Sequence, residues 1–489
     1  MNIDQLKELI YCPISKQIFL NPVIINSGQT FEKEYIDKWF KNNNTCPLTR
    51  KIIDKQYYLN LVLKNIICDF LEKYPEYRDE QYKLNIVIDY NKINNGDIEY
   101  LNEYINTYKI LNIDFNKLDK KIFLNEKIMN IIIDNLNKNN NLECEDIDKW
   151  RPIHFICKYS TEKIVNKILQ IYLDKNLDLD CETDEKWRPI HFICKYSTEN
   201  IVDKILQIYL DKNLDLECET DKKYKPIHLI CKYSTENMVD KILQIYLDKN
   251  LDLECETDDK LKPIHYICQY TTENIVDKIL QIYLDKNLDF ECETDEKWRP
   301  IHYICQYTTE NIVDKILQIY LDKNLDLECE SKKKWRPIHY ICRYSTEKII
   351  NKILQIYLDK NLDLECETKK KYRPIHYICR YSTENIVDKI LQIYLDKNLD
   401  LECETKKKYR PIHYICRYST ENIVDKILQI YLDKNLDLEC ENYEKIRPIQ
   451  FIFKYSTIKM IIKIIYIYEK NKINTEYNFL NLIKSNINI

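Results

Sequence analysis

Lys149 to Glu185 reads KWRPIHFICKYSTEKIVNKILQIYLDKNLDLDCETDE, and this stretch recurs along the chain every 37 residues. The histidines mark one place in it: His154, His191, His228, His265, His302, His339, His376 and His413, with Gln450 in a ninth copy. A unit of this length cannot bury its apolar face alone, so the copies are expected to stack into a solenoid. Each copy predicts two helices and a connecting finger. Pro152 suits the first helical position, where its missing N–H would be unpaired anyway. The first helix is therefore expected from Ile153 to about Tyr159. Ser160 or Thr161 is expected to cap a second helix, with Glu162 in its first turn near the positive dipole end. Ile164, Val165, Ile168, Leu169, Ile171, Tyr172 and Leu173 give that helix a stripe wide enough for burial between two layers. Leu177 to Trp187 then form the finger.

These residues resemble the ankyrin repeat. RPIHFIC is similar to the family's TPLHLAA, and KNLDLECE to its GADVNA. The unit is four residues longer than the usual 33. The extra turn is placed in the second helix, near Gln170 to Leu173, which keeps the stripe in phase. Ser160 and Asn176 stand where the family has glycine, and Asn is the best non-glycine residue for a left-handed φ. Arg or Lys replaces the family's Thr before Pro, so its hydroxyl link to the His is lost.

Composition narrows the function classes. The 74 basic and 79 acidic residues leave a net charge of −5, which gives no push toward nucleic acid or a membrane. The chain has no alanine and only two glycines, Gly28 and Gly96. Its heavy use of Asn, Ile, Lys and Tyr points to an AT-rich genome. With the repeats, it resembles proteins of giant viruses of amoebae. Sixteen of the 20 cysteines fall in the Cys157 and Cys181 repeat series. No signal peptide is read in residues 1–12, so buried free thiols in a reducing cytoplasm are expected. His154 and Cys157 lie three apart on one helix face and could offer two ligands. Nothing in a unit completes four, so no metal or cofactor is expected.

Ahead of the repeats, Cys12–Ile24 reads CPISKQIFLNPVI, Ser27–Phe40 reads SGQTFEKEYIDKWF, Thr45–Arg50 reads TCPLTR and Asn60–Ile67 reads NLVLKNII. Val23 to Ile25 suggest a strand, Ser27-Gly28 a turn, Phe31 to Phe40 a helix, and Leu61 to Leu71 a second helix presenting Leu63, Ile66, Ile67 and Phe70. The four blocks resemble the U-box, the metal-free relative of the RING domain of ubiquitin ligases. A RING needs about eight Cys and His ligands, whereas this stretch holds Cys12, Cys46 and Cys68 and no His, too few for two tetrahedral zinc sites. Hydrogen bonds and salt links are expected to hold its loops instead, with Ser27, Glu32, Thr45 and Asn60 as the bracing residues. Phe31, Lys33 and Leu59 depart mildly from the family pattern. The resemblance implies a groove for a ubiquitin-conjugating enzyme, carried onto Ile14, Trp39 and Pro47. It also implies that Arg50 helps hold the conjugated ubiquitin. No thioester-forming role is expected for Cys12 or Cys46, because no His or cation is placed to lower a thiol pKa.

The expected fold class is mainly α: a small α+β U-box at residues 5–76, then an α-solenoid. Degenerate capping units are expected at 77–148, nine ankyrin-like repeats at 149–455 and a helical cap at 456–489. Differences among the copies cluster at the fingers and first helices. Trp187, Trp298, Trp335, Tyr372 and Tyr409 lie before the prolines, and Arg343, Arg380 and Arg417 four after the histidines. Aromatic residues with Arg match the composition of interface hot spots, so these eight are the candidate substrate-binding residues. Basic fingers at Lys332–Lys334, Lys369–Lys371 and Lys406–Lys408 favour an acidic protein partner. The expected function is a ubiquitin ligase with no catalytic residue of its own. Its partners are a ubiquitin-loaded conjugating enzyme and a protein substrate, not nucleic acid or membrane. The alternatives are a non-catalytic scaffold with an inert U-box, or a ligase that extends existing ubiquitin chains.

Overall fold

The computed structural model describes residues 3–81, 88–108, 111 and 113–471, and the chain divides into two compact units, residues 1–91 and 92–489. The first unit opens with helix α1, Ile3–Ile10. Strand β1, Pro22–Ile25, pairs antiparallel with β2, Thr30–Glu32, and with β3, Tyr57–Leu59, giving the sheet order β2-β1-β3. β-Branched residues in β1 suit its central place, and Gly28 takes the left-handed φ of +77° that the β1–β2 turn requires. Helices α2, Lys33–Asn42, and α3, Leu61–Lys73, complete the unit.

Two local expectations need correction. Phe31 and Glu32 are strand, not helix: Phe31 pairs with Val23 and its ring is fully buried, so α2 begins only at Lys33. On α3 the buried arc is Ile67, Phe70 and Leu71, while Ile66 is exposed. The arc is set by packing against α1 and residues 75–80, and it lies about one residue off the expected stripe.

The second unit stacks helix pairs. Lys120–Phe123 and Glu126–Lys138 form a shortened pair packed on the first full one. Nine full pairs follow among the described residues, from Pro152–Tyr159 with Glu162–Asp174 to Pro448–Tyr455 with Ile458–Lys470. We call the eight-residue helix A and the thirteen-residue helix B. A packs on A and B on B along the stack. Of the helical cap expected at 456–489, Ile458–Lys470 form helix B of the ninth pair, and residues 472–489 lie outside the described residues.

The fingers are not strand ladders. Each tip is closed by its own turn, as in Thr183 N–H to the Trp187 carbonyl at 3.0 Å. One backbone bond joins it to the previous tip, as in Asp184 N–H to the Asp148 carbonyl at 3.0 Å. Asn176 and its counterparts take φ near +50°, as expected of Asn. Ser160 does not, at −90°. The second left-handed residue is instead the tip lysine, Lys149, Lys186 and onward, at +55° to +58°. Thr161 sits at the N-cap of helix B without capping it. Its hydroxyl donates to Glu126 of the preceding B helix at 3.1 Å, as Thr198 does to Glu162 at 2.8 Å. The Thr therefore spans a joint between repeats.

Candidate functional site

The first unit is built on two loops with the same fold. In the first, Cys12 N–H donates to the Gln17 carbonyl at 2.8 Å and Lys16 N–H to the Cys12 carbonyl at 2.9 Å. In the second, Cys46 N–H donates to Lys51 at 2.9 Å and Arg50 N–H to Cys46 at 2.9 Å. Bridges Tyr11–Ile18 and Thr45–Ile52 close them. Lys16 and Arg50 both take a left-handed φ, +58° and +59°. The internal likeness of CPISK and CPLTR, residues 12–16 and 46–50, carries this signal in the sequence. It makes Leu48, half exposed, the counterpart of Ile14, a residue that sequence reasoning passed over.

The braces converge where the loops meet the sheet. Glu32 is fully buried, and its carboxylate accepts Leu20 N–H at 2.8 Å and Asn21 N–H at 3.0 and 3.1 Å. Burial raises its carboxyl above the ordinary range, while backbone N–H groups pull it back down. Ser27 Oγ donates to Cys46 Sγ at 3.4 Å. Asn60 caps α3 by accepting Leu63 N–H at 3.1 Å, and its amide donates to Thr30 Oγ1 at 3.1 Å. Thr45 acts through its carbonyl, which accepts Trp39 Nε1–H at 2.6 Å. These cross-links are hydrogen bonds; the ion pair Glu34–Lys38 runs only along α2. Burial pushes the Cys46 thiol up, but donors from Ser27, Thr49 and Leu48 outweigh it and bring it down to about 7. Hydrogen bonds thus do what a cation was expected to be needed for, although the thiol is fully buried.

Ile14 is half-buried and packs against both halves of the core, the Ile10–Phe70 cluster and the Val23–Phe40 cluster. Trp39 packs on the second of these. Pro47 is half-buried and Arg50 exposed, with the guanidinium 5.0 Å from the Trp39 ring. The structure therefore brings Trp39, Arg50 and the Thr45 carbonyl into contact, with Ile14 against the same core.

In the second unit, the first turn of each of the first eight A helices holds a buried His. His154 Nδ1 accepts Arg151 N–H at 2.9 Å, which leaves Nε2 to donate to the Cys181 carbonyl at 3.1 Å. The backbone N–H thus replaces the hydroxyl link lost with Thr. The same pair of bonds recurs from His191 to His376. Burial pushes each His down to about 4, so the rings are neutral braces. Burial likewise pushes the Cys181 thiol up to about 12. Among the described residues, no three His, Cys, Asp or Glu side chains converge as ion ligands would. No described helix is long and apolar enough to cross a membrane.

The candidate substrate residues divide into two sets. Trp187, Trp298, Trp335, Tyr372 and Tyr409 are half-buried wedges against helix A rings, as in Trp335–Tyr340 at 4.7 Å and Trp335–Tyr377 at 5.2 Å. Arg343, Arg380 and Arg417 lie over the last tyrosine of their own A helix, at 4.9 to 5.0 Å from Tyr344, Tyr381 and Tyr418. Those tyrosines, 45–49 % exposed, continue an open ladder that includes Tyr196, Tyr233, Tyr270, Tyr307 and Tyr455. Sequence reasoning used them only to end a helix, although their invariance five residues after the His was visible.

Comparison with known proteins agrees with this geometry. Residues 8–76 match the family model described as U-box domain. The N-terminal unit carries a U-box. A probable bifunctional E2/E3 enzyme of Acanthamoeba polyphaga mimivirus is 35% identical over 108 residues, covering 22% of this chain and 8% of that one. A putative E3 ubiquitin-protein ligase of Lotus japonicus is 39% identical over 77 residues, 15% and 5%. A putative U-box domain-containing protein of Arabidopsis thaliana is 42% identical over 62 residues, 12% and 13%. The chain thus spans only a small part of the length of the curated relatives it matches.

Proposed function

We propose that this chain is a ubiquitin ligase whose U-box recruits a ubiquitin-conjugating enzyme while the solenoid holds a protein substrate. The observation that carries this reading is that Ile14 of the first loop and Trp39 of α2 pack on one core, with Arg50 of the second loop, three residues after Pro47, 5.0 Å from the Trp39 ring. Such a small apolar patch with a planar cation suits a docking hot spot. The reaction is acyl transfer. A substrate amine attacks the thioester carbonyl on the conjugating enzyme, the C–S bond breaks, and the thiol leaves. This chain contributes proximity and orientation. Its place is the cytoplasm, where the reducing poise keeps the buried Cys157 and Cys181 series as thiols.

An autoubiquitination assay with a panel of conjugating enzymes tests the reading. Ile14→Ala and Arg50→Ala are expected to lower activity at least ~10-fold, about 1.4 kcal/mol of docking energy, with the helix content unchanged. Trp39→Ala is expected to abolish it, because it also releases the Thr45 carbonyl. Full activity in all three variants refutes the docking surface, and silence of the wild type with every enzyme refutes the ligase.

A further inference from the structure

The finger tips change character half-way along the stack. In the first half, each left-handed tip lysine pairs with the aspartate that opens the next tip: Lys149–Asp184 at 3.0 Å, Lys186–Asp221 at 3.8 Å, Lys223–Asp258 at 3.9 Å and Lys260–Asp295 at 3.8 Å. From there Lys332, Lys369 and Lys406 replace the aspartate. Lys297, Lys334 and Lys371 consequently meet a lysine where their counterparts meet an acid. The backbone still holds the tips together, with Lys369 N–H on the Lys333 carbonyl at 2.9 Å and Lys406 N–H on Lys370 at 3.0 Å. Nine exposed lysines are thereby stacked on three adjoining tips. Among the described residues only Lys332 has an ion pair, with Glu296 at 3.4 Å. Like charges held side by side oppose folding, and an anionic partner relieves that repulsion.

The same repeats supply a second cationic row. Arg343, Arg380 and Arg417 make no ion pair among the described residues, whereas Arg336, Arg373 and Arg410 are each tied to two glutamates. In the first half, one groove is lined by the tip residues Glu185 and Asp221, by Lys195 and by Tyr233. Lys333, Lys369, Arg343 and Tyr381 are their counterparts in the second half. By this repeat equivalence, the tip lysines and the arginines stand at the positions that border the groove of the first half.

We infer that the corresponding groove, from Lys332 to Arg417, binds an extended acidic segment of the protein substrate. This deepens the reading of the solenoid as the substrate-holding part and rests on it. The aromatic rings favour a polypeptide over a single-stranded nucleic acid. A guanidinium lies over each of these half-exposed rings where a base would stack: Arg343 lies 4.9 Å from Tyr344 and 5.8 Å from Tyr381, and Arg380 5.0 Å from Tyr381 and 5.8 Å from Tyr418. The N–H edges of those guanidiniums remain for carboxylates, which they hold in pairs.

Fluorescence anisotropy of the full chain with a labelled twenty-residue Glu/Gly peptide tests the inference, with a Gln/Gly peptide and oligo-dT as comparisons. The acidic peptide is expected to bind at least ~10-fold more tightly than either, with affinity falling as salt rises. The triple variant Lys332→Asp/Lys369→Asp/Lys406→Asp rebuilds the ion-pair ladder, so it is expected to lose peptide affinity at least ~10-fold while its thermal midpoint holds or rises. Lys333→Gln/Lys370→Gln/Lys407→Gln, at the middle of the tips, is expected to weaken binding with no change in midpoint. No peptide binding by the wild type, wild-type peptide affinity in both variants, or tighter oligo-dT binding overturns the inference. Autoubiquitination needs no substrate segment. Its loss in the wild type is failure of the ligase reading, and its persistence without peptide binding is failure of this one.

Discussion

The U-box and the solenoid solve one problem, a core with polar groups in it, in opposite ways. In the U-box each brace is made once: one Glu32, one Asn60, one Trp39–Thr45 bond. In the solenoid one set of braces is made over and over, a His to a finger carbonyl, a B-helix Tyr to the preceding finger, a Lys across a joint. A one-off brace fails as a unit when a single residue is lost. A repeated brace loses a fraction to any substitution, but everything at once to a change in solvent that acts on every copy.

Acid is such a change, and it is expected to give the largest contrast. Each folded His titrates near 4 against an ordinary 6.5, so between those values the unfolded state binds protons that the folded state does not. Stability contributed by the neutral His is complete above pH 6.5 and is lost as pH falls toward 4. The loss is about 3 kcal/mol per His at the lower end. The U-box has no His. Hydrogen exchange resolved by region, corrected for intrinsic rate, is expected to show the solenoid opening between pH 6.5 and 4.5 while the U-box stays closed. Equal protection of the solenoid at pH 7 and 5 breaks the contrast.

Next in size is Glu32→Ala. It leaves three N–H to carboxylate contacts unmade in a fully buried place, an expected loss of ~3 kcal/mol. In a thermal melt the U-box transition drops and the solenoid transition stays where it was. A smaller effect separates two changes at one His. His265→Ala removes both its bonds and opens a cavity, expected at ~2–3 kcal/mol. His265→Gln is expected to cost about 1 kcal/mol, because Gln450 shows that an amide oxygen can accept the same N–H, from Arg447 at 2.7 Å. Urea midpoints of the two variants measure this, and equal midpoints sink the idea that the Nδ1 acceptor matters. Smallest is Asp221→Asn, which breaks one exposed tip pair with Lys186 and is expected to change stability by less than ~0.5 kcal/mol.

Much of this was legible in the sequence because periodicity reports which face is buried. The period of the His series placed every A helix within a residue, since Pro152 and its counterparts fix the start. Of the expected apolar stripe, Ile164, Val165, Ile168, Leu169 and Tyr172 are buried, while Ile171 and Leu173 are half-buried. Phe31 was misplaced because helix and strand periods are ambiguous over short apolar runs, and Ile66 because the buried arc of α3 is set by packing against α1 and residues 75–80. The U-box residues were legible only as blocks. That Arg50 lies over Trp39, or that Asn60 reaches Thr30 across 30 residues of chain, has no local signature.

By itself the sequence determined the unit, its two helices, the buried His and the ordered blocks of the U-box, because each follows from local spacing and from which side chains avoid water. Only the tertiary structure decided the partners across each joint. It turned the Thr161 hydroxyl from a cap into a link to Glu126, and it set the tip lysine beside a residue 35 positions on. The physical reason is that stacking brings together atoms far apart in the chain. Like charges in neighbouring copies are harmless in a list of residues and become repulsive only when their tips touch.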